Sequence, residues 1–141
     1  MLFEAFEEKG LSQMSYAIGC QQSNELAIVD PRRDIDFYID FAAEEGFVIR
    51  HVLDTHIHAD FASGARELAE ATGAKLHLSD YDDNEDYEVG FDHLPMEEGD
   101  SIQMGNVRLE ALHTPGHTPE HLTFLVYDGA RSPDVPVVAL T

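Results

Sequence analysis

Residues 47–53, Phe-Val-Ile-Arg-His-Val-Leu, form a run that is apolar almost throughout, and Asp54-Thr55-His56-Ile57-His58-Ala59-Asp60-Phe61 follows it without a break. A short, bounded apolar run predicts a strand covered on both faces, as at the centre of a parallel sheet. Alternate side chains of an extended chain point the same way. His56 and His58 therefore aim at one point, with Asp60 two steps further on. Open α/β sheets carry their sites just beyond the C-terminal ends of such strands.

The rest of the chain repeats this logic. Leu2–Phe6, Met14–Cys20 and Glu25–Asp30 read as strands, the last stopped by Asp30-Pro31. Asp34 is a candidate N-cap for a helix with Ile35, Tyr38, Ile39 and Ala42 on one face, ended by Gly46. Ser63 is expected to cap a second helix carrying Ala65, Leu68 and Ala69, with Arg66 and Glu70 one turn apart and Gly73 as its stop. Lys75–Leu78 predicts a short strand. Ser101–Gln103 and Val107–Leu112 predict a hairpin turning at Gly105-Asn106, and His121–Tyr127 and Val135–Leu140 two further strands. Strands dominate, with two helices in strand–helix–strand settings, which defines an α/β sheet protein with helices outside.

Charge narrows the partners. The chain has 28 acids against 8 Lys+Arg, a net charge of −20. Such a surface repels phosphate backbones and anionic lipid, so neither nucleic acid nor membrane is expected as a partner. No apolar run approaches the ~20 residues of a membrane helix, and the N-terminus lacks the basic start and long apolar stretch of a signal peptide, so a cytoplasmic location is expected. Cys20 is the only cysteine; it reads as a small buried residue at a strand end. Asp80–Glu88 places Asp80, Asp82 and Asn84 at the first positions of an EF-hand, but Glu85 replaces the glycine and Phe91 the final glutamate, so a solvated acidic loop is expected instead of a calcium site.

A second histidine segment, Thr114-Pro115-Gly116-His117-Thr118, lies 55 to 60 residues beyond the first. Gly116 allows a tight bend, and Pro115 and Pro119 stiffen the flanks, so His117 is presented by a rigid loop. His56, His58, Asp60 and His117 are the candidate metal ligands, a set suited to iron or zinc. Asp60 either binds the metal or accepts a hydrogen bond from a ligand's second ring nitrogen. His121 is either a neighbour of the ligands or a strand-start histidine. His51, His77 and His93 read as isolated, and His113 as facing a strand end.

These segments resemble the metallo-β-lactamase superfamily, whose signature is H-x-H-x-D-H with a distant T-P-G-H-T turn. Residues 15–20, Asp30-Pro31-Arg32 and Asp54–Leu68 are similar to the persulfide dioxygenase branch, in the type that precedes rhodanese domains; glyoxalase II is a neighbouring branch. The resemblance covers essentially residues 1–141 and implies the N-terminal half of an αββα sandwich. Phe61 stands where the signature ends in histidine, which argues against the second metal of the two-zinc hydrolases and for a single ion. The branch implies one Fe(II) on His56, His117 and an aspartate, a facial triad with open positions; that aspartate is expected in a Gly-Asp step just past Thr141. Asp60 is the candidate catalytic carboxylate, orienting imidazoles and shifting their proton affinities, and His58 lines the site. The implied substrates are a thiol persulfide and dioxygen, and the implied partners a homodimer mate or downstream rhodanese domains. Two alternatives stay open: a Zn(II) thioester hydrolase of glyoxalase II type, and a catalytically inert half-domain that serves structure or interaction.

Overall fold

The computed structural model describes residues 1–10, 13–81 and 89–141. Ten strands and two helices follow in the order β1 (Leu2–Glu8), β2 (Gln13–Cys20), β3 (Glu25–Val29), α1 (Ile35–Glu45), β4 (Val48–Leu53), α2 (Ala65–Thr72), β5 (Lys75–Ser79), β6 (Leu94–Met96), β7 (Ser101–Met104), β8 (Val107–His113), β9 (Leu122–Asp128) and β10 (Val138–Leu140). They build a six-stranded sheet in the order β1-β2-β3-β4-β5-β6 and a four-stranded sheet in the order β10-β9-β8-β7. β3 to β6 run parallel, and every other pairing is antiparallel.

Alternation divides the apolar residues between two cores. Leu26 and Ile28 of β3 face Tyr38, Ala42, Ala65 and Leu68 of the helices. Ala27 and Val29 face the other way, against Leu109, Phe124 and Val126 of the second sheet. The layers are therefore helices, six-stranded sheet, four-stranded sheet, which is the N-terminal half of an αββα sandwich. No helix among the described residues is long and apolar enough to cross a membrane.

The helix stops behave as their glycines predict. Gly46 adopts φ +76° while Phe47 N–H closes back on the Ala42 carbonyl at 2.8 Å, and Gly73 at φ +72° donates to Ala69 O at 2.9 Å. Arg66 and Glu70 form the expected one-turn pair at 2.9 Å. The Gly105-Asn106 hairpin is present, and Gly105 at φ +51° lies so close to Cys20 that a Cβ there would meet the sulfur at 2.7 Å. Cys20 is buried, as expected, and takes a hydrogen bond from Asn106 N–H at 3.3 Å, linking the ends of the two sheets.

Four expectations need correction. β4 is covered on both faces only at Val52 and Leu53; the register with β3 skips Arg50, which bulges outward, and Val48 is exposed. Ser63 is not the N-cap of α2: Gly64 holds that position, while Ser63 Oγ accepts from Ala65 N–H and donates to Asp54. β6 went unforeseen because Pro95 interrupts it, which an edge strand tolerates. His51 and His77 are not isolated: their Nδ1 and Nε2 atoms lie 3.0 Å apart across β4 and β5. The acidic-loop reading, Asp80–Glu88, falls outside the described residues from 82 onward.

Candidate metal centre

Parallel pairing brings the C-terminal ends of β3 and β4 side by side, so Asp30, one residue past β3, meets the segment that follows β4. Asp30 is buried and adopts φ +51°, a left-handed conformation that aspartate tolerates better than most residues. Its Oδ1 accepts from Thr55 N–H at 2.7 Å and from His58 Nε2–H at 3.1 Å, and its Oδ2 accepts from Thr55 Oγ1–H at 2.9 Å. Having spent its proton on Asp30, the Thr55 hydroxyl accepts from His56 Nδ1–H at 2.9 Å. One carboxylate thus sets the protonation of two rings: His56 keeps a free lone pair on Nε2, and His58 keeps one on Nδ1.

The second loop is tied to the first by backbone. Leu122 N–H donates to Thr55 O at 2.7 Å, and Ile57 N–H donates to Glu120 Oε1 at 2.9 Å. Thr114 N–H closes on His121 O at 2.9 Å across the base of the loop that carries His117. His113 braces it from outside, stacking on Tyr81 with centroids 3.7 Å apart and donating from Nε2 to Pro119 O at 2.9 Å.

The outcome is a cluster of four imidazoles. The His56 ring centroid lies 4.1 Å from that of His58, 4.8 Å from His117 and 5.1 Å from His121. His117 is exposed, and it lines with His56 and His58 a hollow of about 250 Å³ that also touches Asp60, Phe61 and Tyr16. Burial, reinforced by the charge of His58, depresses the His56 pKa to about 4, so this ring is neutral at ordinary pH. Burial likewise lowers His121, whose Nδ1 lies 2.9 Å from Thr114 Oγ1. For His58, burial opposes the charged form, but the hydrogen bond and charge of Asp30 outweigh it and raise its pKa. A neutral His56 ring with a free lone pair, closely spaced with three other imidazoles, suits a transition metal.

Asp60 is exposed on the rim of the hollow, and its carboxylate acts on His58 only through space. The role expected of it, accepting from a ligand's second ring nitrogen, belongs to Asp30. Asp54 completes the back of the site: one of its carboxylate oxygens, one of Asp30's and a His58 ring nitrogen all lie within 4.8 Å of one another. Burial, then repulsion from Asp30, raises the Asp54 pKa to about 7 against the opposing effects of His58 and Ser63. Phe61 packs against the His58 ring in a tilted arrangement, with centroids 4.3 Å apart. Sequence reasoning missed Asp30, Asp54 and Glu120. The available signal was position: each of the two aspartates stands one residue beyond a parallel strand, and the strands are neighbours.

The profile of the metallo-beta-lactamase superfamily matches residues 9–129. The chain belongs to this superfamily. The crystal structure of a metallo-beta-lactamase from Staphylococcus aureus superposes on 99% of the chain and 42% of its own length, with a TM-score of 0.91 and 45% identity. A mitochondrial persulfide dioxygenase of Bos taurus, ETHE1, is 30% identical over 91% of this chain and 48% of that protein. A hydroxyacylglutathione hydrolase of Maricaulis maris is 31% identical over 72% of this chain and 38% of that protein. The chain spans about half the length of the curated relatives it matches. Members of the superfamily are metalloenzymes, and the Asp/His cluster described above is a candidate metal site in this one.

Proposed function

We propose that this chain carries the metal-binding half of a mononuclear non-haem iron domain that oxidises the persulfide of glutathione or another small thiol. The observation that carries the reading is the 4.8 Å approach of His56 and His117 from two separate loops, beside a Phe61 that offers no donor for a second ion. His56, through Nε2, and His117 would hold the ion; His58 Nδ1 and Asp60 line the same hollow. Fe(II) supplies the redox capacity that dioxygen chemistry needs and that zinc lacks.

The reaction balances as RSSH + O2 + H2O → RSH + SO3²⁻ + 2 H⁺. The outer sulfur gives four electrons to dioxygen, the S–S bond breaks, and the thiol leaves with one proton. What the chain's own residues contribute is orientation. Asp30, through Thr55, holds His56 in one tautomer and orients His58 directly. The backbone bonds from Leu122 and Ile57 keep the two loops in register. The exposed side at His117 and Asp60 admits the substrate, and Asp60 on the rim is the carboxylate best placed to exchange protons there. A homodimer mate or downstream rhodanese domains are the macromolecular partners this reading expects.

The second reading is a zinc thioester hydrolase. The hydroxyacylglutathione hydrolase relative favours it, and Phe61 counts against it. Protein purified without air separates the two. About one iron per chain, with O2 uptake on adding glutathione persulfide, is the expected result. Two zinc ions per chain with thioester cleavage would replace the proposal by the hydrolase, and a chain that retains no metal would leave a structural half-domain.

A further inference from the structure

The hollow that His56, His58 and His117 line has spent most of its donors. Gln13 Nε2–H bonds Asp30 O, Thr55 Oγ1–H bonds Asp30 Oδ2, His58 Nε2–H bonds Asp30 Oδ1, and His56 Nδ1–H bonds Thr55 Oγ1. Among the described residues, no lysine or arginine lines it. Yet the reaction proposed above leaves sulfite there, an anion whose oxygens are strong acceptors. Tyr16 has a donor to give. On β2 it stands opposite Val29, the residue before Asp30, and shares the inter-sheet core with Ile18. Ser15, beside it, turns the other way and bonds Tyr38 at 2.7 Å. The Tyr16 ring stacks on Phe3, with centroids 6.1 Å apart and planes at 22°. Its hydroxyl has no hydrogen-bond partner among the described residues and keeps accessible surface, whereas Gln13 Oε1, on the same hollow, is buried unpaired. Thr141, whose hydroxyl is also uncommitted, is exposed and lies outside the strands. Partial burial and then the charge of Asp30 raise the Tyr16 pKa, so the phenol stays protonated.

We infer that Tyr16 contacts the reacting sulfur group in this hollow, its Oη–H donating to an oxygen of sulfite as that oxyanion forms. The inference rests on the preceding reading for the identity of the oxyanion. A persulfide sulfur is a weak acceptor and a sulfite oxygen a strong one. The bond therefore strengthens only as oxygen arrives on the sulfur, which favours the oxidised group over the substrate. A thiol without oxygen gains nothing from the phenol. Tyr16 is thus a specificity residue for oxygenated sulfur, held in place by β2 and Phe3.

The test is calorimetric titration of the full chain, loaded with cobalt(II) without air, with sodium sulfite and separately with ethanethiol. Tyr16→Phe removes the hydroxyl and keeps the ring on Phe3. Loss of a hydrogen bond to a charged group predicts roughly tenfold or greater weakening of sulfite binding, with ethanethiol affinity and cobalt content unchanged. In the wild type, sulfite should also perturb the near-ultraviolet tyrosine band, and Tyr16→Phe should lose that change. Equal sulfite affinity in both proteins, equal weakening of sulfite and ethanethiol, or no sulfite binding at all would overturn the role of Tyr16. So would an unperturbed tyrosine band in the sulfite-saturated wild type, a result that stands even if the variant fails to fold. Metal analysis of the same samples keeps the two claims apart. A chain that retains no cobalt refutes the metal centre and this inference with it; a chain that retains cobalt and binds sulfite equally with and without the hydroxyl refutes Tyr16 alone.

Discussion

Two histidines in different parts of this chain have their proton affinities driven in the same direction for the same first reason, and they end in opposite chemistry. His56, in the loop beyond β4, and His77, inside β5, are each depressed to a pKa of about 4, chiefly by burial. His77 spends its Nε2 on His51 Nδ1 at 3.0 Å, and the charged groups acting on that pair are Lys75, Arg50 and Glu25. Among the described residues, no carboxylate hydrogen-bonds to either ring. His56 is different: Thr55, itself held by Asp30, accepts its Nδ1–H, which leaves Nε2 free, and its ring lies 4.8 Å from that of His117. A depressed pKa by itself therefore does not mark a site. What distinguishes the loop histidines is which nitrogen is left free and what it faces.

The largest effect should come from the ligands. His117→Ala should lower metal affinity roughly 100-fold or more with an unchanged far-ultraviolet circular dichroism spectrum, whereas His77→Ala should leave metal content as in the wild type. Metal loss in both variants would erase the distinction between the groups. Next, Asp30→Ala removes the acceptor for Thr55 N–H, Thr55 Oγ1–H and His58 Nε2–H together. It should cost about 3 to 5 kcal/mol in urea unfolding and weaken metal binding about 10- to 100-fold. An effect below about 1 kcal/mol would show that these bonds do not organise the site.

The paired sheet histidines yield a pH prediction. The folded-state pKa of His77 lies below its value in the unfolded chain, so between the two values the unfolded state binds more protons. Stability is complete above about pH 6.5 and falls as pH drops toward about 4, by about 3 kcal/mol at most. His77→Gln should flatten that part of the stability–pH curve; a curve unchanged by the substitution would mean the pair is not held neutral. The smallest expected change is in His113→Ala, which removes the Tyr81 stack and the bond to Pro119. It should cost about 1 kcal/mol and leave metal affinity within about tenfold, because His113 supports the loop from outside.

Much of this arrangement was legible in the residues. Strongly periodic elements with chemical stops were readable: α1 up to Gly46, α2 up to Gly73, and the hairpin at Gly105-Asn106. The histidine loops were legible because H-x-H and P-G-H each carry their chemistry within a few consecutive residues. What stayed hidden depends on strand pairing. Asp30 looked like a strand stop, since its partners Thr55 and His58 lie 25 and 28 residues away and meet it only when β3 and β4 lie parallel. Glu120 sits in a polar loop, and nothing local announces that Ile57 N–H will bury it. The His51–His77 contact depends on the register of β4 with β5, and the bulge at Arg50 sets which face His51 takes. Asp60 has the spacing of a ligand from His58, and the chain sets it on the exposed rim of the hollow that His56, His58 and His117 line.

The central claim is that imidazoles from both loops converge on one ion. X-ray absorption of the chain loaded with one equivalent of iron(II), or cobalt(II) in its place, tests it most directly. The account predicts nitrogen neighbours with the multiple-scattering pattern of at least two imidazoles, reduced by one in His117→Ala. A coordination shell made of oxygen alone, or one that His117→Ala leaves untouched, would contradict it.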